Sequence, residues 1–146
     1  TEALKSSTQR DTGSGYGIDI FTIQKEGIKQ EIAQEIDHRE KYDLVLARAV
    51  ARLNELAELT IPFANIGGTI ILAKSRGVEE EVKEAAIAAD ILGAAPAITI
   101  EVNKPGNSPP DDMVYWMKIS PTPNEFPRRV GVPHQSPIKS KMDQRT

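Results

Sequence analysis

The succession of apolar runs predicts an α/β fold, a largely parallel sheet that ends in an antiparallel pair. Three observations carry this reading. Short runs rich in β-branched residues ("IDIFTIQ", "YDLVLARAV", "TIILAK") alternate with amphipathic stretches about a dozen residues long, the pattern of parallel strands joined by right-handed crossovers. The last two runs, "AITIEV" and "MVYWMKIS", are separated only by "NKPGNSPPDD", too short for a helical crossover, so they pair as a hairpin. A chain of 146 residues suits one domain around one core.

Residues 1–16, "TEALKSSTQRDTGSGY", are polar and read as a flexible lead-in. "DTGSGYG" has the look of a phosphate-cradling loop, but no buried strand feeds it and no helix leaves it, which favours a plain linker. Ile18, Ile20 and Ile23 mark the first strand. In "KEGIKQEIAQEI", Ile28, Ile32 and Ile36 share one face of a helix that stops before Asp37. "YDLVLARAV" is continuously apolar and reads as a strand buried on both faces. "ARLNELAELTIPFA" places Leu53, Leu56, Ala57, Thr60 and Phe63 on one helical face, with Pro62 late in the helix and "NIGG" as the turn that stops it. "TIILAK" is a further buried strand. "GVEEEVKEAAIAADILG" is a helix with glutamates in its first turn and Gly93 at its end. The hairpin follows, and then a proline-rich tail.

Composition excludes several kinds of chemistry. With no cysteine there is no disulfide framework, thiolate metal site or cysteine nucleophile. The only histidines, His38 and His134, stand in polar or proline-rich surroundings unsuited to a metal centre. No apolar run has the length of a membrane span, and no signal peptide precedes the first strand. The chain begins at Thr1, as a partial or processed sequence would. Its net charge of −3 conceals an asymmetry: Arg128, Arg129, Lys139, Lys141 and Arg145 against Glu125 and Asp143 make residues 121–146 about +3 and the body about −6. Such a basic end can touch phosphate locally on an acidic protein.

The stretch "DHREKYDLVLARAVARLNEL", followed by "PFANIGGTIILAKS", "GVEEEVKEA" and "SPTPNEFPRRVGVPHQSPI", resembles the bacterial-type 16S ribosomal RNA (guanine-N7) methyltransferase G family, also called glucose-inhibited division protein B. The resemblance runs from about Gly27 to Ile138. Its most specific parts are the "ARAVA" turn and the closing "TPNEFPRRVGVP", the latter in a form typical of cyanobacterial and related members. It implies a Rossmann-like S-adenosylmethionine-dependent methyltransferase sheet with a C-terminal antiparallel hairpin. It also implies methyl transfer from S-adenosyl-L-methionine to N7 of a guanine in small-subunit ribosomal RNA, presented as the 30S particle or a precursor. Guanine N7 has a free lone pair at neutral pH and needs no general base, so a site without a histidine or carboxylate dyad is compatible with that reaction. Alignment of N7, methyl carbon and sulfur would supply the catalysis. A cytoplasmic location is implied, with a plastid as the alternative.

Four cationic residues are the candidates for the site, and no catalytic acid, base or metal ligand is expected. Arg48 follows the strand 43–47 at the carboxyl edge, where open α/β sheets bind ligands. The resemblance makes it a cofactor-binding residue, able to pair with the cofactor carboxylate or a phosphate. The plainer alternative is a strand-end arginine that caps surface carbonyls. Lys74, followed by Ser75 where the family usually shows Lys-Gly, is an RNA or cofactor contact or else an ordinary exposed lysine. Arg128 and Arg129 are RNA-binding candidates on an extended, proline-restricted segment, either an ordered strap or a solvated tail. Tyr115 and Trp116 could stack on a base, but their strand position favours core for at least one.

The chain also departs from the family. A complete member is expected to carry two earlier strands, one feeding a Gly-rich loop and one with an acidic end for the cofactor ribose. "DTGSGYG" stands only about 30 residues before "YDLV", too few for the two intervening strand–helix units. Where the family tends to have Gly-Arg-Ala-Glu, this chain reads Gly27, Ile28, Lys29, Gln30. The expected organisation is a lead-in at 1–16, a partial methyltransferase domain at 17–120 lacking the first two strands, and a basic tail or strap at 121–146. Three functions compete: the methyltransferase, a degenerate module that binds RNA or protein, and an unrelated doubly wound domain. Bare sheet edges further predict marginal stability or self-association.

Overall fold

In a computed structural model of the chain, which describes residues 20–23, 38–48, 51–75, 77–129 and 131–139, one five-stranded sheet organises the molecule. The strands are β1 (Ile20–Ile23), β2 (Tyr42–Arg48), β3 (Ala64–Ser75), β4 (Ile98–Val102) and β5 (Asp111–Met117), in the spatial order β1-β2-β3-β5-β4. β1, β2 and β3 run parallel, and β5 is antiparallel to both β3 and β4. This is the Rossmann-like α/β sheet with its closing hairpin. The helices are α1 (Leu53–Thr60), α2 (Glu79–Leu92) and the short α3 (Val132–Gln135). The helix expected around Ile28–Ile36, the lead-in and "DTGSGYG" lie outside the described residues.

Strand alternation builds the core. Val45, Ile70 and Trp116 form one cross-strand row, and Ala47, Leu72 and Val114 the next; all six are buried. α1 and α2 pack together over this face through Leu53, Leu56, Ala57, Ala85, Ala88, Ala89 and Leu92. Emptying the largest of these positions, as in Trp116→Ala, removes roughly 3–5 kcal/mol in a core of this kind. Trp116 is thus core and not a stacking platform, whereas Tyr115 on the opposite face is half-buried.

Three expectations need correction. β2 is buried on one face only; Leu44 and Leu46 on the other are half-buried, so its continuous apolar run overstates its enclosure. Pro62 sits in a separate 3-10 turn, Ile61–Phe63, because its ring and missing N–H cannot continue α1. "NIGG" belongs to β3 and does not stop a helix. There the register slips from Tyr42↔Ala64 to Leu44↔Thr69, an irregularity that bends the strand. Gly68 permits the close approach, since a Cβ would stand 2.9 Å from the Tyr42 carbonyl oxygen. Gly93 does close α2, at φ 103°.

The described part of the tail, residues 121–129 and 131–139, lies on the domain. The Arg39 guanidinium donates to the carbonyls of Phe126 (2.5 Å), Thr122 (2.9 Å) and Pro123 (2.9 Å). Thr122 Oγ1 donates to the last-turn carbonyl of Leu92 at 2.6 Å, and Phe126 and Ile138 are buried in the main core. The strap also covers a polar side of α1. Glu58 is fully buried there and accepts from the Arg128 backbone N–H at 2.6 Å and from its guanidinium at 2.8 Å.

Beneath the strap lies Lys118, with its side chain 0% exposed. Its Nζ donates to the carbonyls of Ile61 (3.0 Å) and Ala64 (2.9 Å) and pairs with Glu40 at 3.1 Å. Desolvation holds its pKa below the usual lysine range, against the opposing pull of Glu40. Glu40 adopts φ 51°, a conformation rare for a residue with a Cβ, and its carboxylate also accepts from the Thr122 N–H at 3.2 Å.

Candidate functional site

The carboxyl edge of the parallel strands carries two of the four candidate residues. Arg48 ends β2 and is in register with Ala73 of β3; Lys74 is the next residue along β3. Strand alternation, which the sequence places at one edge without resolving, puts them on opposite faces. Arg48 follows the phase of Leu44 and Leu46, away from α1 and α2, while Lys74 follows Ile70 and Leu72 beneath the helices.

That difference sets their surroundings. Arg48 is exposed, and among the described residues no hydrogen bond or ion pair holds its side chain. A guanidinium so placed keeps its donors available for a planar anion. Lys74 is enclosed. Its Nζ donates to the Ala51 carbonyl at 3.0 Å and to Glu81 Oε1 at 2.6 Å, with only 12% of its side chain exposed. The same Glu81 oxygen accepts from the Leu53 N–H at 3.1 Å. Arg52 gives α1 no side-chain cap, so a carboxylate from the first turn of α2 satisfies the orphan donor in its place. Lys74 thereby ties the end of β3 to the starts of α1 and α2.

The other two candidates lie elsewhere. Arg128, an expected RNA contact, is turned inward. Its guanidinium is held by Glu58 and by the Ser136 carbonyl at 2.7 Å, and only 14% of its side chain is exposed. A buried carboxylate demands such a partner, and this internal pairing stands where the RNA contact was expected. Arg129, one residue on, is exposed. The edge also carries a Lys104–Asp111 pair of 3.1 Å across the hairpin. Among the described residues, no group of three histidine or acidic side chains is arranged to hold a metal ion, and no helix is long and apolar enough to cross a membrane.

Glu58, Glu81, Arg39 and Lys118 were not singled out from the sequence. Two of them had a usable signal. Glu58 interrupts "LAELTIPFA" and Lys118 interrupts "MVYWMKIS", and a lone charge inside an apolar run marks a paired, buried ion. Glu81 and Arg39 stand among other charges and carried no such mark.

Residues 20–107 match the family model of rRNA small subunit methyltransferase G. Curated relatives named Ribosomal RNA small subunit methyltransferase G include one from Oenococcus oeni, 40% identical over 117 residues, covering 80% of this chain and 48% of the relative. Another, from Dehalococcoides mccartyi, is 40% identical over 122 residues, covering 84% of this chain and 50% of the relative. Among solved structures, a 16S rRNA N2 methyltransferase from T. thermophilus in complex with AdoMet and guanosine overlaps at a TM-score of 0.39 and 23% identity, over 58% of this chain and 22% of that one. The chain spans about half the length of the curated relatives it matches. With more than half of its residues inside the family model, the chain belongs to the rRNA small subunit methyltransferase G family.

Proposed function

We propose that the chain is part of an S-adenosyl-L-methionine-dependent methyltransferase that acts on guanine N7 in 16S ribosomal RNA. The observation that carries this reading is an exposed, unpartnered Arg48 at the carboxyl edge of a sheet that belongs to this family. Arg48 fits the carboxylate end of the cofactor, where its fork can donate two parallel hydrogen bonds. The cofactor supplies a methyl group on a sulfonium, and no proton need be removed from N7 for the transfer. The protein's part is to align the two reactants and exclude water. Lys74 keeps the start of α1 in place beside that edge, and Arg129 is a candidate phosphate contact on the strap.

The substrate in this reading is the 30S particle or its precursor, and the compartment is the cytoplasm or, by the form of the tail, a plastid. Self-association would use β4, one of the two outer strands, where Ile98, Ile100 and Val102 are 56%, 48% and 41% exposed.

Calorimetry with S-adenosyl-L-methionine tests the proposal on the chain and on Arg48→Ala. Micromolar binding weakened at least tenfold by the substitution is expected. Absence of binding by the parent chain would instead favour a non-catalytic module.

A further inference from the structure

At the carboxyl edge, one cross-strand row carries charge that the scaffold leaves unused. Lys74 of β3 is in register with Asp112 of β5, and Asp112 with Glu101 of β4, all in the phase of Leu72 and Val114 on the helical face. Lys74 donates to Ala51 and Glu81, and the neighbouring Asp111 pairs with Lys104. Asp112 and Glu101 have no hydrogen bond or ion pair among the described residues. Like charges directly opposite each other in an antiparallel pair are destabilising.

Asp112 carries the greater cost, since it is only 8% exposed. Its carboxylate is nevertheless not sealed. Among the described residues, the buried side-chain atom that lacks both a partner and contact with solvent is Asn54 Oδ1, and neither Asp112 oxygen shares that state. A nearly buried carboxylate that is open on one side suits a ligand bringing N–H donors or positive charge.

Guanine brings both. Its Watson–Crick edge presents N1–H and the N2 amine side by side, a match for two carboxylate oxygens. Adenine has an acceptor at N1 and no N2 amine. On methylation the sulfur–methyl bond breaks and the N7 lone pair forms the new bond, so positive charge passes from sulfonium to purine and no proton moves. A carboxylate on N1–H holds the purine more tightly as that charge develops. N7, on another edge of the base, stays unobstructed. Arg48 lies two strands from Asp112, about 10 Å across, and the crevice above the strand ends lies between them.

We infer that Asp112 selects guanine: its carboxylate accepts from N1–H and the N2 amine of the target base, with Glu101 adding to the negative field. The inference rests on the proposed function in taking guanine N7 as the methyl acceptor.

NMR titration of the chain with GMP, IMP, AMP and 7-methyl-GMP tests it. GMP should bind at least tenfold more tightly than AMP, with IMP between them, and 7-methyl-GMP at least fivefold more tightly than GMP. Asp112→Asn should bring each difference within twofold or reverse it. The melting temperature should stay unchanged or rise, because an opposition of like charges is removed. A purely structural carboxylate would do the opposite, lowering the melting temperature and leaving the base preference intact. The inference is overturned by that result, by no binding of GMP, or by equal binding of the bases in the parent chain. Displacement of 7-methyl-GMP by spermidine at equal concentration overturns it too, since the row would then take any cation. A guanine preference that depends on Asp112, without S-adenosyl-L-methionine binding, would remove the proposed function and leave the guanine contact standing. Cofactor binding with indifference to the base would do the reverse.

Discussion

The two ends of the sheet are built on opposite terms. At the amino edge, where β2 and β3 begin, almost every charge is matched inside the protein. Arg39 takes three strap carbonyls, Lys118 takes two carbonyls and Glu40, and Glu58 takes Arg128. At the carboxyl edge Arg48 is exposed and, among the described residues, unmatched, whereas the enclosed Lys74 works on the scaffold, with Asp112 buried beside it in register. The contrast teaches that the count of cations near a sheet end says little about ligand binding. What matters is whether the fold has already used their hydrogen bonds.

Substitutions at the two edges should therefore fall on different measurements. Glu58→Ala should have the largest effect on stability. It leaves Arg128 beside a buried vacancy, and breaking a buried pair in this way costs about 3–5 kcal/mol in urea unfolding. The double change Glu58→Leu/Arg128→Met should recover most of that loss; no recovery would mean that the pair is not the source. Arg39→Ala should cost about 2–3 kcal/mol, since it releases carbonyls from a charged donor, and should speed amide exchange over residues 122–126. A loss below about 0.5 kcal/mol, the level of an ordinary surface change, would remove Arg39 from the amino-edge lock.

Lys118 should reveal itself through pH. Its pKa in the folded chain lies below the ordinary value of 10.5, because burial penalises the charged form. Below the folded pKa both states hold the proton and the burial penalty is present in full. Between the folded pKa and 10.5 the unfolded chain binds more protons, so stability rises with pH. Thermal melts across that interval should show the rise in the parent chain and a flatter profile in Lys118→Met; parallel profiles would contradict the assignment. The smallest stability effect is expected for Arg48→Ala, within about 0.5 kcal/mol, although the same change should abolish most cofactor binding. A large drop in melting temperature would turn Arg48 into another scaffold charge and erase the contrast between the edges.

Much of the scaffold could be read in advance. A continuous apolar run located β2, period-3.6 patterns located α1 and α2, and two apolar runs with a short connection located the hairpin, because such patterns reflect what each element buries. "NIGG" misled because glycines that usually end a helix also allow a strand to bend against a neighbouring carbonyl. The site was legible only in part. Position along the strand placed Arg48 and Lys74 at the same edge, but their opposite faces and the Glu81 contact depend on the register between strands and on helix packing. Arg128 shows the same limit: a basic residue beside prolines looks like a surface contact until its partner, 70 residues earlier, is known.

That separation bears on how the molecule is made. Synthesis at about 5–20 residues per second delivers α1 seconds before the strap. Throughout that interval Arg128, the partner of Glu58, and the carbonyls that Arg39 will hold have not yet been polymerised. The nascent helical layer is left with a carboxylate it cannot desolvate, so its packing waits on residue 128. Emergence of residues 122–128 from the ribosome is then the step expected to let this helical layer finish packing.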